Sequence, residues 1–357
     1  MKLEFSITPI LILSSLLISC NGQIKSDNKA TTVTNSPEPN IISVPENGFS
    51  SGLLDNKGNI WFTSNGGGVF FFDGTAFTNY TKEDVLSSNQ VFSIIEDNKN
   101  NLWFGTQNGL TSYNGTRFEL IPLPFQDTTS AWLDKVYPVI NPNAAHALAV
   151  DQDDNIWIGT AGGGAYRYDG KYFKSFLSNI GRKQEDSLYH NWIPFIREDK
   201  EGHLWFASMT HGGVHRFDGE KFTQFLTKDG LSDNQVRTIY CDKSGNIWIG
   251  FNGNRNSGLT VYDGKTFKTY SEADGLCNKR IRAIYEDKSG NIWLGASLGK
   301  LCIFDGQNFS EFISNGLTYS DILFILNDSE DNVWFGGKNG IWKFDGRTAI
   351  KMTQDNS

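Results

Sequence analysis

The chain has 357 residues, enough for a large core, and a formal net charge of −8 from 32 basic and 40 acidic side chains. It contains no long basic block, which excludes nucleic-acid phosphates or an anionic membrane surface as its main partner. Thirty-seven glycines and an aromatic content of 13% indicate many tight turns between strands rich in large side chains.

The first element in chain order is a targeting segment. Residues Ile7 to Ile18, ITPILILSSLLI, are apolar but too short for a membrane span, which needs about 20 residues. They run into Leu17-Ile18-Ser19-Cys20, which resembles the lipobox of bacterial lipoproteins. The resemblance implies that residues 1–19 are a signal peptide and that Cys20 becomes a lipidated N-terminus. Several acyl chains on one residue, palmitate among them, would give a stable anchor. The n-region is weak, since Lys2 is offset by Glu4. Asn21 stands where an inner-membrane retention signal places Asp, so the expected location is the outer membrane, reached through the lipid only. Residues 20–46 carry much Ser, Thr, Asn and Pro and read as a flexible tether.

From residue 47 to 357 the chain repeats. Asp242 to Gly250 reads DKSGNIWIG and Asp287 to Gly295 reads DKSGNIWLG. Aligned on that phrase, seven copies place Trp61, Trp103, Trp157, Trp205, Trp248, Trp293 and Trp334 in one slot, 41 to 54 residues apart. An apolar strand such as QVFSIIE ends in Asp and a turn, and a second strand carrying the Trp returns. The turn uses Gly or Asn for positive φ, and its Asp can accept local backbone N–H groups. A third strand such as GLTVYDG ends in Asp-Gly, a favoured hairpin turn, and a fourth such as KTFKTY alternates its rings. Four short strands recurring every forty-odd residues predict an all-β fold, a single seven-bladed β-propeller of four-stranded antiparallel blades. Each Trp supplies the apolar area that one blade must bury against the next. The first copy begins on its first strand and the last ends on its fourth, which leaves ring closure open. Residues Asn40 to Pro45 are a candidate extra pairing strand.

The pattern D-x-x-G-N-I-W-x-G-T, then G-L-x-x-Y-D-G-x-x-F-x-x-Y, resembles the two-component regulator propeller repeat of periplasmic sensors in hybrid histidine kinases. It covers roughly residues 48 to 353. The resemblance implies an extracytoplasmic sensing role. The family's sensors usually carry two propellers, an immunoglobulin-like module, a membrane span and a kinase core; with one set of seven here, direct kinase signalling is not expected. The Gly-His and Trp-Asp punctuation of WD40 blades is absent. The turn is similar to sialidase Asp boxes, but no arginine triad with a Tyr nucleophile is recognisable.

If the shared phrase is scaffold, function belongs where copies differ. Two connectors are longer than the rest, Pro122 to His146 by about 13 residues and Leu177 to Pro194 by about 6, and the loop Asn252 to Ser257 is expanded in the fifth copy. In an up-and-down blade these segments emerge on one face. They would bring Trp132, Tyr137, Tyr189, His190, Trp192, His211, Asn252, Asn254 and Arg255 to one side of the mouth. Aromatic rings beside amide and guanidinium donors suit a small glycan or a peptide; alternatively, the two Trp side chains merely pin long loops.

No cofactor, metal or catalytic residue is expected. His211 and His215 lie on a loop and strand rather than on one helix face. The acidic turn Asp151 to Asp154 lacks the downstream Glu of a calcium loop. The Gly-rich tracts at Asn65 and Ala161 precede strands, not the helix a phosphate cradle requires. Apart from Cys20, the cysteines number three, Cys241, Cys277 and Cys302, so no disulfide framework is implied, and Cys241 and Cys302 read as packed thiols. The expected function is a non-catalytic envelope lipoprotein that binds an extracytoplasmic ligand, a glycan fragment foremost. The alternatives are a protein-interaction scaffold beside a membrane sensor or uptake complex, and a propeller lyase or hydrolase.

Overall fold

The computed structural model describes residues 48–125, 141–177, 192–253 and 257–352, together with the backbone of residues 23–25 and 31–33. Cys20 and the stretch 40–45 lie outside the described residues. The repeat forms seven four-stranded antiparallel sheets, each with its strands in sequence order. Blade 1 runs from Phe49 to Tyr80, blade 2 from Val91 to Ile121, blade 3 from Ala145 to Phe176 and blade 4 from Phe195 to Phe225. Blade 5 spans Val236 to Tyr270, blade 6 Ile281 to Glu311 and blade 7 Ile322 to Lys351. Two 3-10 turns, Thr227–Asp229 and Glu272–Asp274, are the helical elements among the described residues.

The repeated phrase works as one hydrogen-bonded unit. In every blade the turn Asp accepts the indole N–H of the Trp six residues on, from Asp55 and Trp61 at 2.9 Å to Asp328 and Trp334 at 2.8 Å. The same carboxylate takes the backbone N–H four residues on, and in six blades the Asn side chain there as well. In blade 4, His203 Nδ1 replaces the Asn amide at 3.0 Å. Burial alone would raise the Asp328 carboxyl, but bonds from Trp334 and Asn332 and the nearby Lys343 outweigh it and hold it below the usual range.

Each indole so fixed packs on the next blade. Trp61 meets Phe104 and Tyr113, Trp103 meets Tyr168, Trp157 meets Phe206 and Phe217, and Trp205 meets Tyr262. Trp248 meets Phe304, and Trp293 meets Phe335 and Phe344. The seventh turns back on the first blade, with Trp334 at 5.9 Å from Phe62 and 5.6 Å from Phe72. The ring therefore closes by the same contact that joins every other pair, in a core of Phe49, Phe62 and Phe70 against Phe324 and Trp334. The small residue after the Trp strand's aromatic lets neighbouring blades approach: a Cβ on Gly105 would lie 2.5 Å from the Ala145 carbonyl oxygen of the next inner strand.

Two features differ from the sequence reading. Residues 23–25 and 31–33, within the expected tether, are short strands that pair antiparallel with the outer strands of blades 3 and 2. Cys302, read as a packed thiol, forms a disulfide with Cys277, tying the connector before blade 6 to that blade's third strand. The sequence reading failed because an odd count says only that one thiol is left over, here the half-buried Cys241.

Two stability experiments follow. Asp287→Ala would leave the Trp293 indole and the turn amides without an acceptor and should cost about 2–4 kcal/mol in denaturant unfolding, whereas a loss below about 0.5 kcal/mol would mean the turn holds without its carboxylate. Replacing Cys277 and Cys302 together with Ala opens a loop of 25 residues and should cost about 3 kcal/mol, a deficit that vanishes when the parent is compared in reductant.

Candidate functional site

Strand direction sorts the loops. The Asp-x-x-Gly-Asn and Asp-Gly turns lie at one end of the blades, and the connectors and second-to-third-strand loops at the other. The turn end is knitted together across blades: Glu96 accepts the Asn56 amide at 2.8 Å, Asp154 accepts the Asn98 amide at 3.0 Å, and Lys99 and Lys288 pair with Asp154 and Asp331. The Asp-Gly turns are also satisfied internally. The Asp263 and Asp345 carboxyls, for example, sit below the usual range because backbone N–H groups of Thr266 and Lys265, and of Thr348 and Arg347, bond to them.

At the connector end, six of the seven inner strands are preceded by a residue whose carbonyl is bound by its own blade's loop. The carbonyls of Gln90, Ala144, Trp192, Gln235, Arg280 and Asp321 accept the amides of Gln107, Ala161, Met209, Asn252, Ser297 and Lys338. These six residues ring the mouth. Two residues further on, six inner strands slip register against their neighbours and leave Ser50, Phe92, His146, Arg237, Arg282 and Leu323 unpaired in the ladder. In blade 4 pairing starts at Phe195 with Ala207, and Pro194 fills the corresponding place. A bulged residue is re-aimed out of the ladder, and here side chains of non-adjacent blades sense each other. Arg237 of blade 5 acts on His146 of blade 3.

The bulge residues are aromatic on blades 2 and 3 and cationic on blades 5 and 6. Phe92 stacks on His146 at 4.1 Å, and His146 meets Trp192 edge-on at 5.9 Å. His211 Nε2 lies 2.8 Å from Gln235 Nε2, and the Asn252 amide donates to the Gln235 carbonyl at 3.1 Å. The cationic residues are Arg237 on blade 5, Arg282 on blade 6 and Arg280 just before it. Gly253 makes room for Arg280, because a Cβ there would fall 2.1 Å from Arg280 Cγ. Burial, reinforced by Arg282, pulls the Arg237 guanidinium down to about 9. Burial and then Arg280 lower Arg282, with Asp321 opposing. Burial, then Arg237, pushes His146 down to about 3, so its imidazole is neutral at pH 7.

Of the sequence-predicted residues, Trp192 lies against His146, while His211 and the Asn252 amide both contact Gln235. Trp132, Tyr137, Tyr189, His190, Asn254 and Arg255 lie outside the described residues. His211 and His215 form no pair: His211 turns to Gln235, and His215 is buried in its strand, 6.4 Å from the Phe222 ring. Asp199, Glu201 and His203 bring three ligand atoms within 4.8 Å of one another. Both Asp199 oxygens are already bound, Oδ1 by the Glu201 and His203 amides and Oδ2 by Trp205 Nε1 and His203 Nδ1. This group is the repeat's turn with His in the Asn place rather than a metal centre. Sequence reasoning missed Phe92, His146, Arg237, Arg280 and Arg282. A signal was present, since QVRTIY and RIRAIY put Arg237 and Arg282 in the same slot of consecutive copies.

Known proteins resemble this chain in both repeat and fold. The family model described as two component regulator propeller matches at residues 85–108, 140–162, 230–253 and 275–297, so the repeat is of that type. Histidine kinase P4 of Formosa agariphila is 22% identical over 295 residues, covering 78% of this chain and 21% of the kinase. The chain thus spans about a fifth of that curated relative's length. Among solved structures, the extracellular domain of a hybrid two component system from B. thetaiotaomicron superposes with a TM-score of 0.63 at 23% identity, covering 83% of this chain and 40% of that one. Virginiamycin B lyase from Staphylococcus aureus gives 0.63 at 16% identity, covering 87% and 96%. These structures share the propeller fold.

His146 makes the mouth acid-sensitive. Its folded pKa, about 3, lies below the ordinary 6.5, so between these values the unfolded chain binds the extra proton and stability falls as pH falls. A His146→Phe variant, scanned by thermal unfolding from pH 7 to 4.5, should lose less stability than the parent; parallel curves would show that His146 protonates freely in the fold.

Proposed function

We propose that this protein is a non-catalytic cell-envelope lipoprotein whose propeller binds an extracytoplasmic ligand, a glycan fragment, at the axial mouth as part of a sensing role. The observation that carries this reading is that Trp192 lies beside the stacked Phe92 and His146 rings at the connector end, where His211 and the Asn252 amide contact Gln235. Ring faces next to hydrogen-bond donors suit sugars, whose C–H faces stack while their hydroxyls bond. The repeat type and the likeness to the extracellular domain of a two component system support sensing. The Cys277–Cys302 disulfide supports an oxidising compartment. Lipidation at Cys20 with placement in the outer membrane completes the proposal.

A non-catalytic role is favoured by the chemistry of His146. A general base works best with a pKa near the operating pH, and this imidazole is held near 3. Resemblance to lyases at 16% identity carries the fold and not the activity. A second reading, a docking scaffold for an envelope protein, is favoured by Leu298, Ile313 and Leu317. These are 68%, 58% and 59% exposed on the blade 6 loop and on the short hairpin that follows that blade.

The test is a thermal-shift panel of oligosaccharides on the purified protein, with Trp192→Ala as control. A bound sugar should raise the melting temperature of the parent and lose about tenfold in affinity in the variant. No shift with any sugar, or a shift that Trp192→Ala leaves intact, removes the glycan reading. Recovery of an envelope protein by cross-linking that Leu317→Glu abolishes would establish the scaffold.

A further inference from the structure

Some lysines of this acidic protein find carboxylates: Lys343 lies 3.3 Å from Asp328, and Lys99, Lys288 and Lys300 pair with Asp154, Asp331 and Glu311. The arginines of the mouth do not. Among the described residues no ion pair involves Arg237, Arg280 or Arg282, and the buried Arg282 Nε has no hydrogen-bond partner. Asp321 acts on Arg282 from the next blade, but it forms no ion pair, and its Oδ1 accepts the Leu298 amide at 3.0 Å. Two bulge guanidiniums, Arg237 and Arg282, each lowered by burial and then by a neighbouring arginine, are a cost that folding does not require, because a bulge position elsewhere in the ring takes Ser50, Phe92 or Leu323. Such an arrangement is held ready for an anion. A guanidinium fork suits planar or tetrahedral oxyanions, and the neutral His146 adds a polar edge without competing charge.

Resting on the ligand-binding reading above, we propose that the ligand is an acidic saccharide whose carboxylate or sulfate sits between Arg237 and Arg282 while a sugar face lies against Trp192. Arg280, its stem laid over Gly253, guards the entrance to the same subsite.

Calorimetric titration of the purified protein with three oligosaccharides of equal length, one uronate-bearing, one sulfated and one neutral, tests this. At least one acidic sugar should bind more tightly than the neutral one, and binding should weaken as salt rises from about 0.05 to 0.5 M. Which acidic arm binds identifies the anion. Arg237→Gln and Arg282→Gln should each cost about 10- to 100-fold in affinity, with Arg237→Lys between them and the parent. Their melting temperatures should equal or exceed the parent's, since a like-charge contact is removed. Neutral sugar binding as tightly as acidic sugar, or acidic binding that survives both Gln variants, overturns the acidic subsite while leaving the glycan function standing. No binding by any of the three overturns both. If one Gln variant fails to fold, the other decides, and failure of both to fold would make the arginines structural and end the proposal.

Discussion

A carboxylate gripping an indole is the interaction on which this propeller depends. One Asp per blade holds the turn amides with one oxygen and a Trp N–H with the other, at 2.7 to 2.9 Å in all seven copies. Without it the indole would carry a buried donor into an apolar seam, a penalty that offsets much of its burial. With it, the largest side chain in the repeat is aimed at the neighbouring blade, and a strip of sheet that cannot bury both faces alone acquires a partner. Local turn chemistry and long-range packing are thus one device.

Because that device sits at the turn end and in the middle of each blade, the opposite end is released from structural duty. Six inner strands enter the ring through a bulge whose residue has no ladder partner, and with Pro194 in the corresponding place of blade 4 the seven positions hold Ser50, Phe92, His146, Pro194, Arg237, Arg282 and Leu323. Small, aromatic, cationic and aliphatic side chains all appear there, while the Asp and Trp positions do not vary. The chemistry of the mouth is written on a frame indifferent to it.

The sequence shows the frame clearly and the mouth only in part. The Trp spacing and the Asp-Gly turns were legible because each arises from contacts within about forty residues. Ring closure was not legible, since nothing local in Trp334 says that Phe62 and Phe72 lie beside it. The Cys277–Cys302 bond was hidden for the same reason, being set by where a connector crosses a blade. Looking for departures from the repeat singled out Trp192, His211 and Asn252 among the described residues. It overlooked Arg237 and Arg282, which sit outside the lengthened segments and stand out as a pair only when the bulges of neighbouring inner strands are compared.

The seventh indole has one more implication. Trp334 fastens the last blade to the first by the contact used at the six other seams, and among the described residues the four strands of every blade are consecutive in the chain. Topologically it is a bracelet of identical clasps. Where the covalent chain starts and stops is, for such an object, a matter of convenience, and the order of its blades is fixed by which ring each Trp faces.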